Sequence, residues 1–163
     1  MDMDHEDYIE KIISERKIKE LFIQLKESRN SDERLIKLGK INKIMISLKE
    51  QGIEYNKGVY EFVSKNLDIM QQKKSEQIEF MLKELNNSKD LQSQKVLLKQ
   101  LVIKFNSLKS AGTRYNKDEY EYVIKELKKV ENKIAEEKYR NDEEYQEWED
   151  YKKEEQEDDE MEL

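Results

Sequence analysis

The chain has no cysteine and no proline, and only four of its 163 residues are glycine. Without cysteine there is no disulfide framework and no thiolate metal site. Without proline nothing forces a helix to break, and so little glycine disfavours a turn-rich β fold. The single histidine, His5, lies in a charged stretch near the N-terminus, which excludes His-based nucleophilic triads and the common zinc sites. The glycines, Gly39, Gly52, Gly58 and Gly112, are scattered and form no phosphate-binding loop. The acidic C-terminal stretch lacks the Asp pattern and the glycine of a calcium loop. No apolar run approaches the ~20 residues that span a bilayer. The acidic Met1–Asp7 stretch lacks the apolar centre of a signal peptide. The expectation is a soluble, cytoplasmic, non-catalytic protein with no cofactor, no metal and no membrane partner.

What the chain does contain is a long stretch that appears twice. Ser47–Leu67 returns sixty positions later as Ser107–Leu127, with the same residue at Ser47/Ser107, Leu48/Leu108, Gly52/Gly112, Tyr55/Tyr115, Asn56/Asn116, Tyr60/Tyr120, Val63/Val123 and Leu67/Leu127. This reads as an internal duplication. Apolar positions extend the match: Ile18, Leu21, Phe22 and Leu25 correspond to Ile78, Met81, Leu82 and Leu85, and Leu38, Ile41, Met45 and Leu48 to Leu98, Leu101, Phe105 and Leu108. Their spacing is that of one helix face.

The duplicated stretch has the residues of a helix–helix corner. Gly52 and Gly112 suit the position just past a helix, where positive φ costs glycine little. Asn56 and Asn116 are good N-caps for the next helix. Tyr55 with Tyr60, and Tyr115 with Tyr120, occupy the two positions of a hydrophobic staple, and Glu119 adds a capping-box position to the second copy. Ser31 is expected to cap the second helix. The polar run Gln71–Gln77 contains nothing that breaks a helix, so Lys57 to about Leu85 is expected to be one rod, with a short break at this run as the alternative. Val96 and Ile103 lie across the fourth helix from its main stripe, which predicts a helix packed on both sides.

The predicted fold is therefore all-α. Two tandem three-helix repeats, residues 1–74 with an N-terminal extension and residues 75–140, form an elongated bundle or short α-solenoid of six helical segments. A disordered acidic tail, residues 141–163, follows. A long coiled coil is the alternative, opposed by turn signals near residues 30, 53, 88 and 113.

Charge is distributed unevenly. Residues 141–163 hold thirteen acidic side chains against Lys152 and Lys153, a net of −11, which leaves +4 on residues 1–140 out of a total of −7. Such tails often mediate interaction. Within this tail Tyr145, Trp148 and Tyr151 recur every three residues among carboxylates that include Glu147 and Asp150. Their docking reading has aromatic anchors entering a pocket while the acids steer toward a basic surface; the plainer reading is a solubilising end. Leu91–Lys117 lacks any acidic residue and carries Lys95, Lys99, Lys104, Lys109 and Arg114. These are candidate phosphate contacts, or else a solvated helix face.

With the helical body and the run Asn141-Asp-Glu-Glu-Tyr-Gln-Glu-Trp-Glu-Asp-Tyr151 in view, the chain resembles the acidic-tailed accessory subunit of crenarchaeal B-family replicative DNA polymerase. The resemblance lies in size, helical character, absence of cysteine and tail charge, and no residue roles are carried over. It implies a non-catalytic protein that binds the polymerase, with a tail that restrains strand displacement. The leading expectation is an adaptor or accessory subunit of a nucleic-acid-processing machine, whose larger protein partner presents a basic nucleic-acid-binding surface. The alternatives are a direct nucleic-acid binder using the basic helices, with the tail as self-inhibitor, and a DNA-mimic inhibitor.

Overall fold

Residues 4–161 are described by a computed structural model. They form five helices: α1 (His5–Glu27), α2 (Ser31–Glu50), α3 (Lys57–Asn87), α4 (Leu91–Ser110) and α5 (Lys117–Met161). There is no strand among the described residues. The third and fourth expected segments are one continuous helix, so five helices stand where six segments were counted. α3 has 31 residues and is about 46 Å long at 1.5 Å per residue.

The helix ends follow from local chemistry. Gly52 and Gly112 have φ of 71° and 72°. At the first corner the Gly52 N–H donates to the Lys49 carbonyl and the Ile53 N–H to the Leu48 carbonyl; at the second, Gly112 donates to Lys109 and Thr113 to Leu108. This pair of bonds is the Schellman closure, which satisfies the last carbonyls of a helix. Asn56 accepts from the Val59 N–H and Asn116 from the Glu119 N–H. The staple rings meet edge to face, with centroids 5.8 Å apart for Tyr55 and Tyr60 and 6.0 Å for Tyr115 and Tyr120. Among the described residues the Glu119 carboxylate makes no capping-box return bond.

One cap differs from expectation. Asn30, not Ser31, caps α2, accepting from the Asp32 N–H. Ser31 is already the first helical residue, and its hydroxyl accepts from Lys74 instead. The equivalent cap on α4 is Asp90, which accepts from the Ser93 N–H.

The core is one apolar cluster. Leu35, Leu38, Ile41 and Met45 of α2 meet Val63, Leu67 and Ile78 of α3, Leu98, Leu101, Phe105 and Leu108 of α4, and Val123 and Val130 of α5. Each fully buried Leu, Ile or Phe contributes roughly 1.5–3 kcal/mol. α2 packs on α1, α3 and α4; α4 packs on α2, α3 and α5; α1 touches α2 alone. α1 accordingly has no fully buried residue. Gly39 is required by this packing: a Cβ there would overlap the backbone of Ala111, so α2 lies directly against the second corner.

Two expectations fail in this packing. α4 is not covered on both sides, because Val96 and Ile103 are 55% and 54% exposed. Its three neighbours all take the opposite faces. The acidic tail is drawn as helix rather than disorder, since α5 continues for 45 residues to Met161; residues 162 and 163, like 1–3, lie outside the described residues. The physical reason is composition. Beyond Gly112 there is no Gly or Pro, and Glu, Lys, Gln and Arg all propagate a helix well.

Candidate functional site

α5 separates into two parts. Val123 and Val130 anchor its first turns in the core. After Ile134 it leaves the bundle, and every side chain from Ala135 to Trp148 is exposed. The aromatic residues foreseen for docking stand on this projecting part. Tyr145, Trp148 and Tyr151 are all more than half exposed. Tyr145 and Trp148 lie 6.5 Å apart between centroids, and the Lys152 ammonium sits 3.9 Å over the Trp148 ring, a cation–π contact. A hydrogen bond to the Glu149 carboxylate, reinforced by its charge, pushes the Tyr145 phenol above its ordinary range.

At about 100° per residue, Glu147 and Asp150 lie nearly opposite Tyr145. With Glu143 and Glu154 they form one stripe at helical spacing. Glu144 and Glu155 fall inside the sector of the three aromatic rings, and Glu149 lies beside Tyr145, so carboxylates also flank the aromatic residues. Like charges at this spacing oppose the helix by a few tenths of a kcal/mol per pair. Asp150 relieves part of that load by accepting from the Gln146 amide at 3.3 Å.

The candidate phosphate contacts do not form one row. Lys99, Lys109 and Arg114 are exposed, and Lys95 is half-buried. Lys95, Lys99 and Lys109 share a sector of α4. Lys104 stands about 180° from Lys95 on the helix, so it cannot serve the same phosphate row. It donates to the Gln77 side chain at 3.3 Å. Burial, and the positive charge of nearby Lys74, lower its pKa, with Asp32 opposing.

Lys104 thus belongs to a buried polar group that the sequence concealed. The Lys74 ammonium, only 3% exposed, lies 2.8 Å from the Asp32 carboxylate and donates to the Ser31 hydroxyl at 2.8 Å. The Ser107 hydroxyl is 3.0 Å from the same carboxylate oxygen and 2.7 Å from the Lys104 carbonyl, with one proton to give. Burial alone would raise the Asp32 pKa, but the bond and charge of Lys74, with Ser107 and Lys104, outweigh it and the net shift is downward. This group ties α2, α3 and α4 together. A Lys inside a run without apolar residues reads as solvent-facing, and only its helical register with Leu67, Ile78 and Met81 could have signalled burial.

The run Arg34–Lys49 likewise lacks acidic residues, and several of its cations are used internally. Lys43 reaches the Ser110 carbonyl at 3.4 Å, where the end of α4 favours a positive charge. Lys49 lies 5.5 Å from the Tyr60 ring centre. Arg34 donates to the Ser28 carbonyl at 2.9 Å.

A cleft also lies at the first corner. It measures about 310 Å³ and is bounded by Ile18 and Phe22 of α1, Met45 and Leu48 of α2, and Tyr55 and Val59 of the corner and α3. Glu15, Lys19 and Glu54 stand at its edge. Among the described residues no group of His, Asp and Glu side chains could hold a metal ion, and no helix is long and apolar enough to cross a membrane. Compared with protein families, curated proteins and solved structures, the chain matches none.

Proposed function

We propose that the chain is a non-catalytic helical adaptor, an accessory subunit that docks on a nucleic-acid-processing machine such as a DNA polymerase. The observation that carries this reading is the exposed helix beyond Ile134, which carries aromatic residues among carboxylates. Its aromatic face presents the only Trp of the chain where no core needs it, as a binding anchor would. Its carboxylates, set all around the helix, are suited to competing with nucleic acid for a basic channel. In this reading the body is two tandem units, residues 1–74 and 75–140. The helix ends from Glu27/Asn87 through Glu50/Ser110 to Lys57/Lys117 recur at sixty residues. The protein works in the cytoplasm.

The test compares the full chain with one ending after Arg140, in capture from the native host and in the nucleic-acid activity of the captured machine. The tail-less chain should be captured at least tenfold less well, or should leave the machine's activity on nucleic acid unrestrained. Equal capture together with equal activity would sink the reading.

A second reading has its own observation. Lys99, Lys109 and Arg114 are exposed and make no ion pair among the described residues, as a direct nucleic-acid binder would need. Such a binder shifts DNA at low salt, more strongly without the tail, and loses affinity steeply as salt rises. A DNA mimic would instead lose inhibition of its target on tail deletion.

A further inference from the structure

The side of α3 that points away from the core is bare. α3 packs on α2 and α4, and neither α1 nor α5 packs on it. Phe62, Ile69 and Phe80 stand on that side, 58%, 43% and 62% exposed. Phe62, Asn66, Ile69, Lys73, Glu76 and Phe80 follow one another in steps of four and three, the heptad pattern of a coiled-coil seam. At about 100° per residue they fall within a sector of about 80°, turned away from the buried Val63, Leu67, Ile78 and Met81. The Asn66 amide donates to the Phe62 carbonyl at 2.8 Å, which holds it in this row.

We propose that this seam pairs antiparallel with the same seam of a second copy, forming a twofold-symmetric homodimer. The order of its residues complements its own reverse. With the twofold axis at the level of Gln71, Phe62 meets Phe80 of the second copy, Asn66 meets Glu76, and Ile69 lies under the Lys73 stem. Asn66 keeps one amide N–H for the Glu76 carboxylate. A parallel pair in register would instead set Lys73 on Lys73 and Glu76 on Glu76, like charge on like.

The charges beside the seam agree with this arrangement. Lys65 lies across from Glu79 of the second copy and Glu61 across from Lys83, and symmetry makes each pair twice. Within one copy Lys65 makes no ion pair among the described residues, and Glu79 meets Lys83 only at 4.0 Å with both exposed. Opposite charges flanking a seam set partner choice and orientation. The acidic tail is a poor occupant of the same face, because it would bring its carboxylates against Glu76 and Glu79. The seam is short, so the dimer is weak and forms as concentration rises.

The experiment is sedimentation equilibrium of the full chain at concentrations up to about 1 mM. A monomer–dimer equilibrium is expected, with a dissociation constant of order 0.1 mM. Phe80→Asp and Ile69→Asp change exposed positions, and each should weaken association at least tenfold with helicity unchanged. Lys65→Glu and Glu79→Lys should each weaken it about threefold, and the double variant should restore it, since the swapped charges face each other only in the antiparallel register. A chain that stays monomeric at about 1 mM would overturn the proposal. So would a dimer that survives both aspartate variants, or one that the charge reversals leave unchanged. A dimer lost on truncation after Arg140 but kept in Phe80→Asp would overturn it as well, by placing the tail at the interface.

Discussion

The two corners of this molecule share Gly, Tyr, Asn and a second Tyr at the same offsets, yet they differ in tightness. Their backbones are closed by the same pair of hydrogen bonds and their caps by the same Asn oxygen. The helix that leans on each corner is also tied to it at equivalent places. Lys11 of α1 grips the Glu54 carboxylate at 3.1 Å, and sixty residues on Gln71 of α3 donates to the Arg114 carbonyl at 3.1 Å. What differs is the supporting cast. Ile18 and Leu21 of α1 stay partly exposed, whereas their counterparts Ile78 and Met81 are buried. α3 is held by α2 and α4, while α1 has only α2. Tyr120 donates to the Asn106 side chain, whereas the equivalent position near Tyr60 is Ile46, which offers no side-chain acceptor. The same local code therefore specifies the turn, and the neighbours decide how firmly it is packed.

Reciprocal truncation is the strongest way to break this comparison. Phe105→Ala should cost about 4 kcal/mol, near the middle of the range for a buried aromatic, and Met45→Ala only about 2 kcal/mol, because its site already borders open space. Equal losses in urea denaturation would mean that the corners are energetically alike. Next in size is Lys74→Ala, which leaves Asp32 without its partner. A loss of about 3 kcal/mol is expected, the low end for a broken buried pair because Asp32 keeps some contact with water. Ser14, the counterpart of Lys74, makes no such bond among the described residues, and Ser14→Ala should change stability by less than about 0.5 kcal/mol.

Gly39→Ala forces a methyl into the backbone of Ala111 and should cost about 2 kcal/mol by overpacking, read as a lower urea midpoint at constant slope. The smallest effect is one of pH. The Asp32 pKa is lowered on folding, so its contribution is present above the ordinary carboxylate value of 3.8 and is lost as pH falls through the lower folded value. Wild type should therefore lose more stability than Asp32→Asn between about pH 5 and pH 2. Parallel acid melting curves would show that the pair adds no pH dependence.

Much of this was legible in the sequence because the signals were local. Gly52, Asn56 and the two tyrosines fix a corner by bonds that span only a few residues, and the offset of sixty made each signal visible twice. The continuous rod of α3 followed from the absence of any breaker between Lys57 and Asn87. What could not be read depended on distant partners. Lys74 and Lys104 sit in charged surroundings in sequence, but Asp32 and Ser107 reach them from other helices. Val96 and Ile103 suggested a covered face, and only the placement of α1 and α5 shows that none of the described residues covers it. For the tail, composition spoke for disorder and helix propensity for helix. The sector shared by Tyr145 and Trp148 emerges only once the helix is drawn.

Gly39 bears on more than its own contact. Its counterpart sixty residues later is Lys99. The face that α2 turns toward the second corner, around Ile36, Gly39 and Lys43, is repeated on α4 as Val96, Lys99 and Ile103, and there it looks into water. A third copy of the corner would have to land on that face, at the spot where close approach demands no side chain at all. A lysine occupies it. The same face that accepts a corner on α2 thus carries on α4 a single cation that keeps it wetted.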